Sequence, residues 1–111
     1  MVATTSELEH VIEDFAGRLE AVISIEAIVL YGSYARGTAY EDSDIDLAVI
    51  SPDFEAVPVY RRQRTIAKHT LRRDGRISPI GYASSEYHDP APQSFLSEIV
   101  RTGKVVYPPQ T

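Results

Sequence analysis

The spacing of apolar residues predicts that the chain begins with a helix followed by a strand. Between residues 6 and 23 apolar side chains recur every three or four positions, as on one face of an amphipathic helix. Ser6 and Glu9 form an S-x-x-E capping box at its start. Residues 25–31 are mostly apolar and stop at Gly32, which is typical of a short buried strand.

Three further strands are predicted downstream. The apolar segment 45–51 predicts the second strand, and residues 76–83 predict the third. Pro79 and Gly81 indicate an edge or bulged position for the third strand, because proline cannot donate a hydrogen bond to a neighbouring strand. Residues 104–107 predict a short final strand.

Helical segments separate these strands. A short helical turn is predicted at the start of 34–43, a longer helix over 58–73, and a helix that Ser94 caps and Gly103 ends. The order predicts a single domain spanning residues 1–111, in which helices cover a sheet of three or four strands. Both α/β and α+β remain open, because the pattern does not give the strand directions.

The helix over 58–73 is expected to bury one face and to expose a basic face. Its predicted inward positions are Val59, Gln63, Ile66, Ala67, Thr70 and Leu71. Its predicted outward positions are Arg61, Arg64, Lys68 and Arg72. A turn at Asp74-Gly75 then leads into the third strand. Aromatic residues are not interleaved with the arginines as in single-strand binders, so a solvated face is favoured over direct nucleic-acid binding.

Composition and charge narrow the class of protein. The 111 residues are 43% apolar and 24% charged, as in an ordinary soluble domain. The net charge of −5 is uneven: residues 61–76, with seven basic and one acidic residue, carry +6, and the remainder carries −11. Cysteine is absent, which excludes disulfides and thiolate zinc sites. No apolar run approaches the roughly 20 residues of a membrane span, and a secretory signal is not recognisable, so a cytoplasmic location without membrane contact is expected.

Two aspartates at the start of the second strand are candidate metal ligands. In Asp44-Ile45-Asp46 the carboxylates share one face of the strand, about 6 to 7 Å apart. At an effective dielectric of about 20, their repulsion is about 2 to 3 kcal/mol. A cation would relieve this repulsion, and Mg²⁺ commonly binds carboxylates together with substrate phosphates.

Ten residues before these aspartates lies a candidate phosphate cradle. Gly32 allows the backbone to approach a ligand closely, and Ser33 offers a hydroxyl and an amide at the start of the helical turn. Arg36 lies one helical turn further on and has the forked donor geometry that suits phosphate oxygens. Together with the aspartates, this turn predicts a site for a metal–nucleotide complex.

Three other interpretations of the stretch are less well supported. A P-loop requires a lysine after its second glycine, but Thr38 follows Gly37. A calcium loop starting at Asp42 requires glycine at its sixth position, which is Leu47. A simple solvated turn would suit either half alone, but two acids on one face of an apolar strand argue against it.

The stretch 28–51, IVLYGSYARGTAYEDSDIDLAVIS, resembles the signature of the minimal nucleotidyltransferases of the DNA polymerase beta superfamily. The hallmark of that family is a Gly-Ser followed, after a similar spacer, by Asp-x-Asp. The resemblance implies a small mixed sheet and transfer of a nucleoside monophosphate from ATP or another triphosphate with Mg²⁺. It further implies that Gly32 and Ser33 hold the triphosphate, with Arg36 in an adjoining Ala-Arg-Gly segment. Asp44 and Asp46 would be the catalytic and metal-binding residues.

Many of the smallest family members resemble antitoxins of toxin–antitoxin pairs. By this likeness the partner would be a HEPN-domain toxin, inactivated when AMP is added to a tyrosine. The family usually has a third carboxylate on the next core strand, and the matching position here is Ser78. Asp74 and Glu86 are the nearby acids that could replace it, although neither falls at the matching position. Two hypotheses follow: an enzyme that transfers AMP, or a nucleotide-binding module that neutralises its partner by contact.

Overall fold

A mixed four-stranded sheet forms the centre of the described chain. The computed structural model describes residues 3–41, 43–70 and 76–109. The strands are β1 (Ala27–Tyr31), β2 (Ile45–Ser51), β3 (Ile77–Ala83) and β4 (Lys104–Tyr107), in the order β3-β2-β1-β4. Strand β2 runs parallel to β3, whereas β1 is antiparallel to both β2 and β4. The predicted mixed α/β class with a small sheet is confirmed, and the structure supplies the strand directions.

Five helices surround the sheet in the described residues. They are α1 (Thr5–Glu20), α2 (Ser33–Arg36), α3 (Val59–Lys68), α4 (Ser84–His88) and α5 (Phe95–Thr102), with a 3₁₀ turn at Pro52–Phe54. The sequence did not predict α4 or the 3₁₀ turn, because segments this short contain too few residues to show a helical period. None of the helices in this part of the chain is long and apolar enough to cross a membrane.

The start of α1 differs from the prediction. Its N-cap is Thr4, whose Oγ1 accepts a hydrogen bond from the Glu7 amide at 3.1 Å, while the Glu7 carboxylate accepts one from the Thr4 amide at 3.3 Å. The Ser6 and Glu9 box was therefore wrong by two residues, because T-x-x-E and S-x-x-E overlap and only one can cap the helix. Helix α1 also ends three residues earlier than predicted, and β1 begins two residues later.

Strand β2 is buried on both faces. Leu47 and Val49 pack in a core with α1 and Ile66 of α3, while Ala48 and Ile50 pack in a second core with α5. Because Asp46 shares its face with Ala48 and Ile50, the aspartates lie on the side of the sheet that α5 covers.

The prediction of which face of α3 is buried was partly wrong. Val59 was predicted to point inward but is 59% exposed, whereas Arg62 is buried at 6% exposure. Arg62 tolerates burial because its guanidinium group donates to the Val57 carbonyl at 2.7 Å and to the Glu86 carboxylate at 2.7 Å. Ile66 is buried as predicted. The predicted end of this helix, with Leu71 and Arg72, and the turn at Asp74-Gly75 lie outside the described residues.

Strand β3 is an edge strand, as predicted from Pro79 and Gly81. It pairs with β2 without a register shift, so the alternative of a bulge was wrong. At the other end of the chain, the predicted cap of α5 is confirmed, since the Ser94 Oγ accepts from the Ser97 amide at 3.0 Å. Helix α5 ends at Gly103, and β4 has its predicted bounds.

Replacing Glu86 by Gln should weaken the fold, because buried Arg62 would lose its counter-charge. The hydrogen bond from Arg62 lowers the pKa of the Glu86 carboxyl, and the amide of Ala83 adds to this effect. Since Glu86 is itself 44% exposed, we expect a loss of about 1 to 2 kcal/mol in the free energy of unfolding at pH 7. The loss can be measured by urea denaturation.

The same substitution should matter less in acid. Folding lowers the pKa of the Glu86 carboxyl from its ordinary value of 4.5. Such a group stabilises the folded protein at every pH above its ordinary pKa, and this stabilisation is lost as the pH falls through the folded pKa. The difference between wild type and Glu86→Gln should therefore shrink below about pH 4.5. Glu98→Gln is the matched control, because Glu98 pairs with Arg101 on the surface and should change stability by less than about 1 kcal/mol. Equal effects of both variants would contradict the role given to Glu86.

Candidate active site

The predicted site residues lie together in one open cleft. Its volume is about 560 Å³, and it lies where β1 ends and β2 begins. The five candidates from the sequence all line it: Gly32, Ser33, Arg36, Asp44 and Asp46. The antiparallel pairing of β1 with β2 explains this placement, since Tyr31 is the register partner of Asp46 and the motif residues extend from that point.

Gly32 occupies a position that no other residue type fits. Its backbone has φ +74° and ψ −151°, a conformation that residues with a side chain rarely adopt. A Cβ placed there would lie 2.3 Å from Oδ2 of Asp46, well inside van der Waals contact. The glycine therefore allows the turn before α2 to approach the aspartate closely.

The two aspartates repel each other in a partly buried setting. Burial is the main cause that raises the pKa of Asp46, the charge of Asp44 raises it further, and Arg36 partly offsets both. Asp46 is half-buried and Asp44 is exposed, so the pair opens toward solvent. Two carboxylates whose ionised forms disfavour each other fit a divalent cation, which would remove this repulsion.

Tyr31 stays protonated beside the aspartates. Burial, the charge of Asp46 and the neighbouring Tyr82 raise the pKa of Tyr31 to about 12. At neutral pH its hydroxyl group can donate a hydrogen bond but cannot act as a base.

The residue that the family pattern matches to a third carboxylate is Ser78, which lies on β3. In the parallel pairing of β2 with β3, Ser78 is the register partner of Asp46, and its side chain is exposed. Glu86 does not replace it, because its carboxylate accepts from Arg62 and lines a different cavity. Asp74 lies outside the described residues. Within 3–41, 43–70 and 76–109, no group of three or more acidic, histidine or cysteine side chains is arranged to hold a metal ion.

The cleft also contains residues that the sequence reasoning did not assign to the site. They are Tyr31, Tyr40, Ser43, Phe95, Glu98, Ile99 and Thr102. The last four come from α5, which lies nearly fifty residues beyond the motif in the chain. These four residues are predictable from the face of β2 only when the position of α5 on the Asp46 side of the sheet is known.

The fold and the cleft together define a nucleotidyltransferase-type domain. A crystal structure of "a putative nucleotidyltransferase" from Sulfolobus solfataricus superposes with a TM-score of 0.68, covering 88% of this chain and 78% of that chain. With 16% sequence identity, this likeness concerns the fold alone. The chain belongs to the polymerase beta nucleotidyltransferase family, since the family profile "Polymerase beta, Nucleotidyltransferase" matches residues 13–111.

Curated relatives in this family are named protein adenylyltransferases. A "putative protein adenylyltransferase" of Methanocaldococcus jannaschii is 27% identical over 103 residues, which cover 87% of this chain and 96% of the relative. The protein adenylyltransferase MntA of Thermococcus cleftensis is 38% identical over 55 residues, covering 50% of this chain and 52% of that protein. The predicted family is thus confirmed, and the chain is grouped with enzymes.

Replacing Gly32 by Ala should eliminate binding of Mg²⁺-ATP in a calorimetric titration. The new methyl group would displace the Asp46 carboxylate, and the positive φ would add strain of about 1 to 3 kcal/mol. Gly37→Ala is the matched control, because Gly37 has the same φ of +74° but no atom within 4 Å of the position that a Cβ would take. It should lower the melting temperature yet retain binding. Equal loss of binding in both variants would show that backbone strain matters and the approach to Asp46 does not.

Proposed function

We propose that this protein is a Mg²⁺-dependent adenylyltransferase that transfers AMP from ATP to a hydroxyl group of a partner protein. The observation that carries the proposal is the common cleft, in which the Gly32-Ser33 turn lies against Asp46 and Asp44 lines the same wall. A phosphate cradle beside a pair of mutually repelling carboxylates suits a triphosphate bound with a divalent cation. The names of the curated relatives favour ATP as the donor and a protein as the acceptor.

The residues of the chain have separate parts in this reaction. Asp44 and Asp46 would hold Mg²⁺, which when bound neutralises phosphate charge and aligns the attacking and leaving oxygens. Ser33 and Arg36 line the same cleft and would orient the phosphate chain. The hydroxyl oxygen of the acceptor forms a bond to the α-phosphorus, the bond from that phosphorus to the bridging oxygen breaks, and pyrophosphate leaves. The proton of the hydroxyl group passes to solvent, because Ser78 offers no carboxylate there.

The acceptor in this proposal is a tyrosine on a helical HEPN-domain toxin, and the protein acts as the antitoxin in the cytoplasm. This part rests on the resemblance of the motif to small antitoxins. A reading frame next to that of this protein that encodes a short helical protein would supply the partner for the experiment. Its absence would direct the search to other protein acceptors.

A second function is favoured by Ser78. Because Ser78 stands where the family pattern has a third carboxylate, the domain is suited to hold a nucleotide without transferring it quickly. It would then neutralise the partner by direct contact. This alternative predicts neutralisation that does not depend on chemistry at Asp44 and Asp46.

One experiment separates the two functions. The protein is incubated with Mg²⁺, the partner and ATP labelled at either the α- or the γ-phosphate, beside a variant with both Asp44→Asn and Asp46→Asn. Transfer of AMP labels the partner from α-labelled ATP alone, adds the mass of one AMP to a tyrosine peptide, and disappears in the variant. Absence of label, together with undiminished neutralisation by the variant, would reject the enzyme in favour of the binding module. Parallel reactions with the other labelled triphosphates test the choice of ATP.

A further inference from the structure

Phe95 is an exposed phenyl ring in the wall of the candidate active site. It is the first residue of α5 and is 59% exposed, although it lines the cleft together with Gly32, Ser33 and both aspartates. A single exposed apolar side chain is common on protein surfaces and has little meaning alone. Its position beside a phosphate cradle gives this one a specific use.

The Phe95 ring packs against one aromatic neighbour. Phe95 meets Tyr31 with ring centroids 5.6 Å apart and an angle of 84° between the ring planes, which is an edge-to-face pair. Tyr31 immediately precedes Gly32 and is the register partner of Asp46. The orientation of the Phe95 ring is therefore tied to the strand that carries the rest of the site.

This contact leaves an aromatic face open. In an edge-to-face pair, a neighbour covers one face of a ring at most, so at least one face of Phe95 is not covered by Tyr31. The exposure of the ring agrees with this. A nucleotide whose phosphates lie at the Gly32-Ser33 turn carries a flat base that must lie elsewhere in or beside the same cleft.

We infer that Phe95 is the stacking platform for the base of the bound nucleotide, an inference that rests on the proposed function. A stacked base typically tightens binding by about 5- to 150-fold. Stacking tolerates every base because each has a π-face, and purines offer the larger area. Phe95 should therefore increase the affinity for ATP more than the affinity for a pyrimidine triphosphate. It should not contact the phosphates.

The test compares ATP with inorganic tripolyphosphate, which has the phosphates but no base. Calorimetric titrations with Mg²⁺ are made on wild type, Phe95→Leu, Phe95→Met and Phe95→Tyr. Leucine and methionine keep apolar bulk against Tyr31 but remove the aromatic face, and tyrosine keeps that face. We expect Phe95→Leu and Phe95→Met to raise the Kd for ATP by about 5- to 150-fold and to leave the Kd for tripolyphosphate unchanged. Phe95→Tyr should bind both ligands like the wild type.

Val100→Ala is the matched control, because Val100 is also an exposed apolar residue of α5 but does not line the cleft. It should leave both Kd values unchanged.

Unfolding of a variant would be visible as loss of tripolyphosphate binding as well. An ATP Kd that is the same in wild type, Phe95→Leu and Phe95→Met would overturn the inference, and a higher KM for the protein acceptor in those variants would assign Phe95 to the acceptor instead. If the wild type binds neither ligand, the proposed function fails and the inference fails with it.

Discussion

Replacing Asp46 by Asn is expected to reduce the rate of AMP transfer by at least about 10²-fold, because a bound metal ion stabilises transition-state charge by several kcal/mol and about 1.4 kcal/mol corresponds to a tenfold change in rate. Asp46 is the half-buried member of the carboxylate pair and lies against Gly32, at the point where the phosphate cradle meets the candidate metal site. Asparagine keeps the shape of the side chain but removes the negative charge that would hold Mg²⁺ in the proposed reaction. The rate is measured with α-labelled ATP and the partner protein.

The same variant should be at least as stable as the wild type when no metal is present. Burial and Asp44 raise the pKa of Asp46 above its ordinary value of 3.8, so the ionised form is disfavoured in the folded state. The protonated Asp46 carboxyl therefore favours the folded state at a pH below 3.8, and this contribution to stability is lost as the pH rises through the folded pKa. The asparagine side chain cannot ionise and avoids this loss, so the melting temperature of Asp46→Asn should equal or exceed that of the wild type at pH 7.

With Mg²⁺-ATP present, the wild type should have a higher melting temperature than Asp46→Asn. Adding Mg²⁺-ATP should raise the melting temperature of the wild type and leave Asp46→Asn almost unchanged. Asp89→Asn is the control, because Asp89 is an exposed aspartate that does not line the cleft. It should respond to Mg²⁺-ATP like the wild type. A variant Asp46→Asn that is both active and stabilised by Mg²⁺-ATP would remove Asp46 from the metal site.

Replacing Ser78 by Asp is expected to accelerate AMP transfer by up to about 10²- to 10⁴-fold, the contribution usual for a positioned general base. Ser78 is the register partner of Asp46 on the neighbouring parallel strand, about 4.8 Å away across the sheet. An aspartate there would present a carboxylate beside the pair, able to accept the proton of the attacking hydroxyl group or to join the metal site. Because Ser78 is exposed, the longer side chain has room.

Ser78→Asn is the matched control, since asparagine has the size of aspartate without its charge. It should leave the transfer rate at the wild-type level. Without metal, Ser78→Asp should be less stable than Ser78→Asn, because it adds a negative charge beside Asp46. Equal rates for the two variants in the presence of Mg²⁺ would show that the reaction does not lack a base at this position.

Much of the site was predictable because its residues lie close together in the chain. The Gly32-Ser33 turn and the Asp44-x-Asp46 strand are joined by one short connection, and the two-residue period of a strand places both carboxylates on one face. The family pattern matched Ser78 to a third carboxylate, but the register of Ser78 with Asp46 came from the structure. Roles for Gly32, Ser33, Arg36, Asp44 and Asp46 remain predictions, which the variants above test.

The burial of Arg62 and the exposure of Val59 were not predicted, because both depend on contacts with residues that are distant in the chain. Arg62 lies in the basic stretch 61–76 and was not predicted to be buried, but Glu86 and two backbone carbonyls lie where its guanidinium group can reach them. Val59 looked like a core residue because it is apolar, but it lies at the first turn of α3, beyond the buried part of that helix. Burial depends on which partners the fold brings near, and the order of residues does not state this.

The amino-acid order was sufficient for most of the elements, the family and the grouping of the candidate site residues, because hydrophobic period, turn residues and motif spacing act over a few neighbouring positions. The strand directions were known only from the tertiary structure. The same holds for the position of Glu86 outside the cleft and for the contact between Phe95 and Tyr31. These features join residues that are distant in the chain, and the contact of Phe95 with Tyr31 exists only once α5 has packed on the Asp46 side of the sheet.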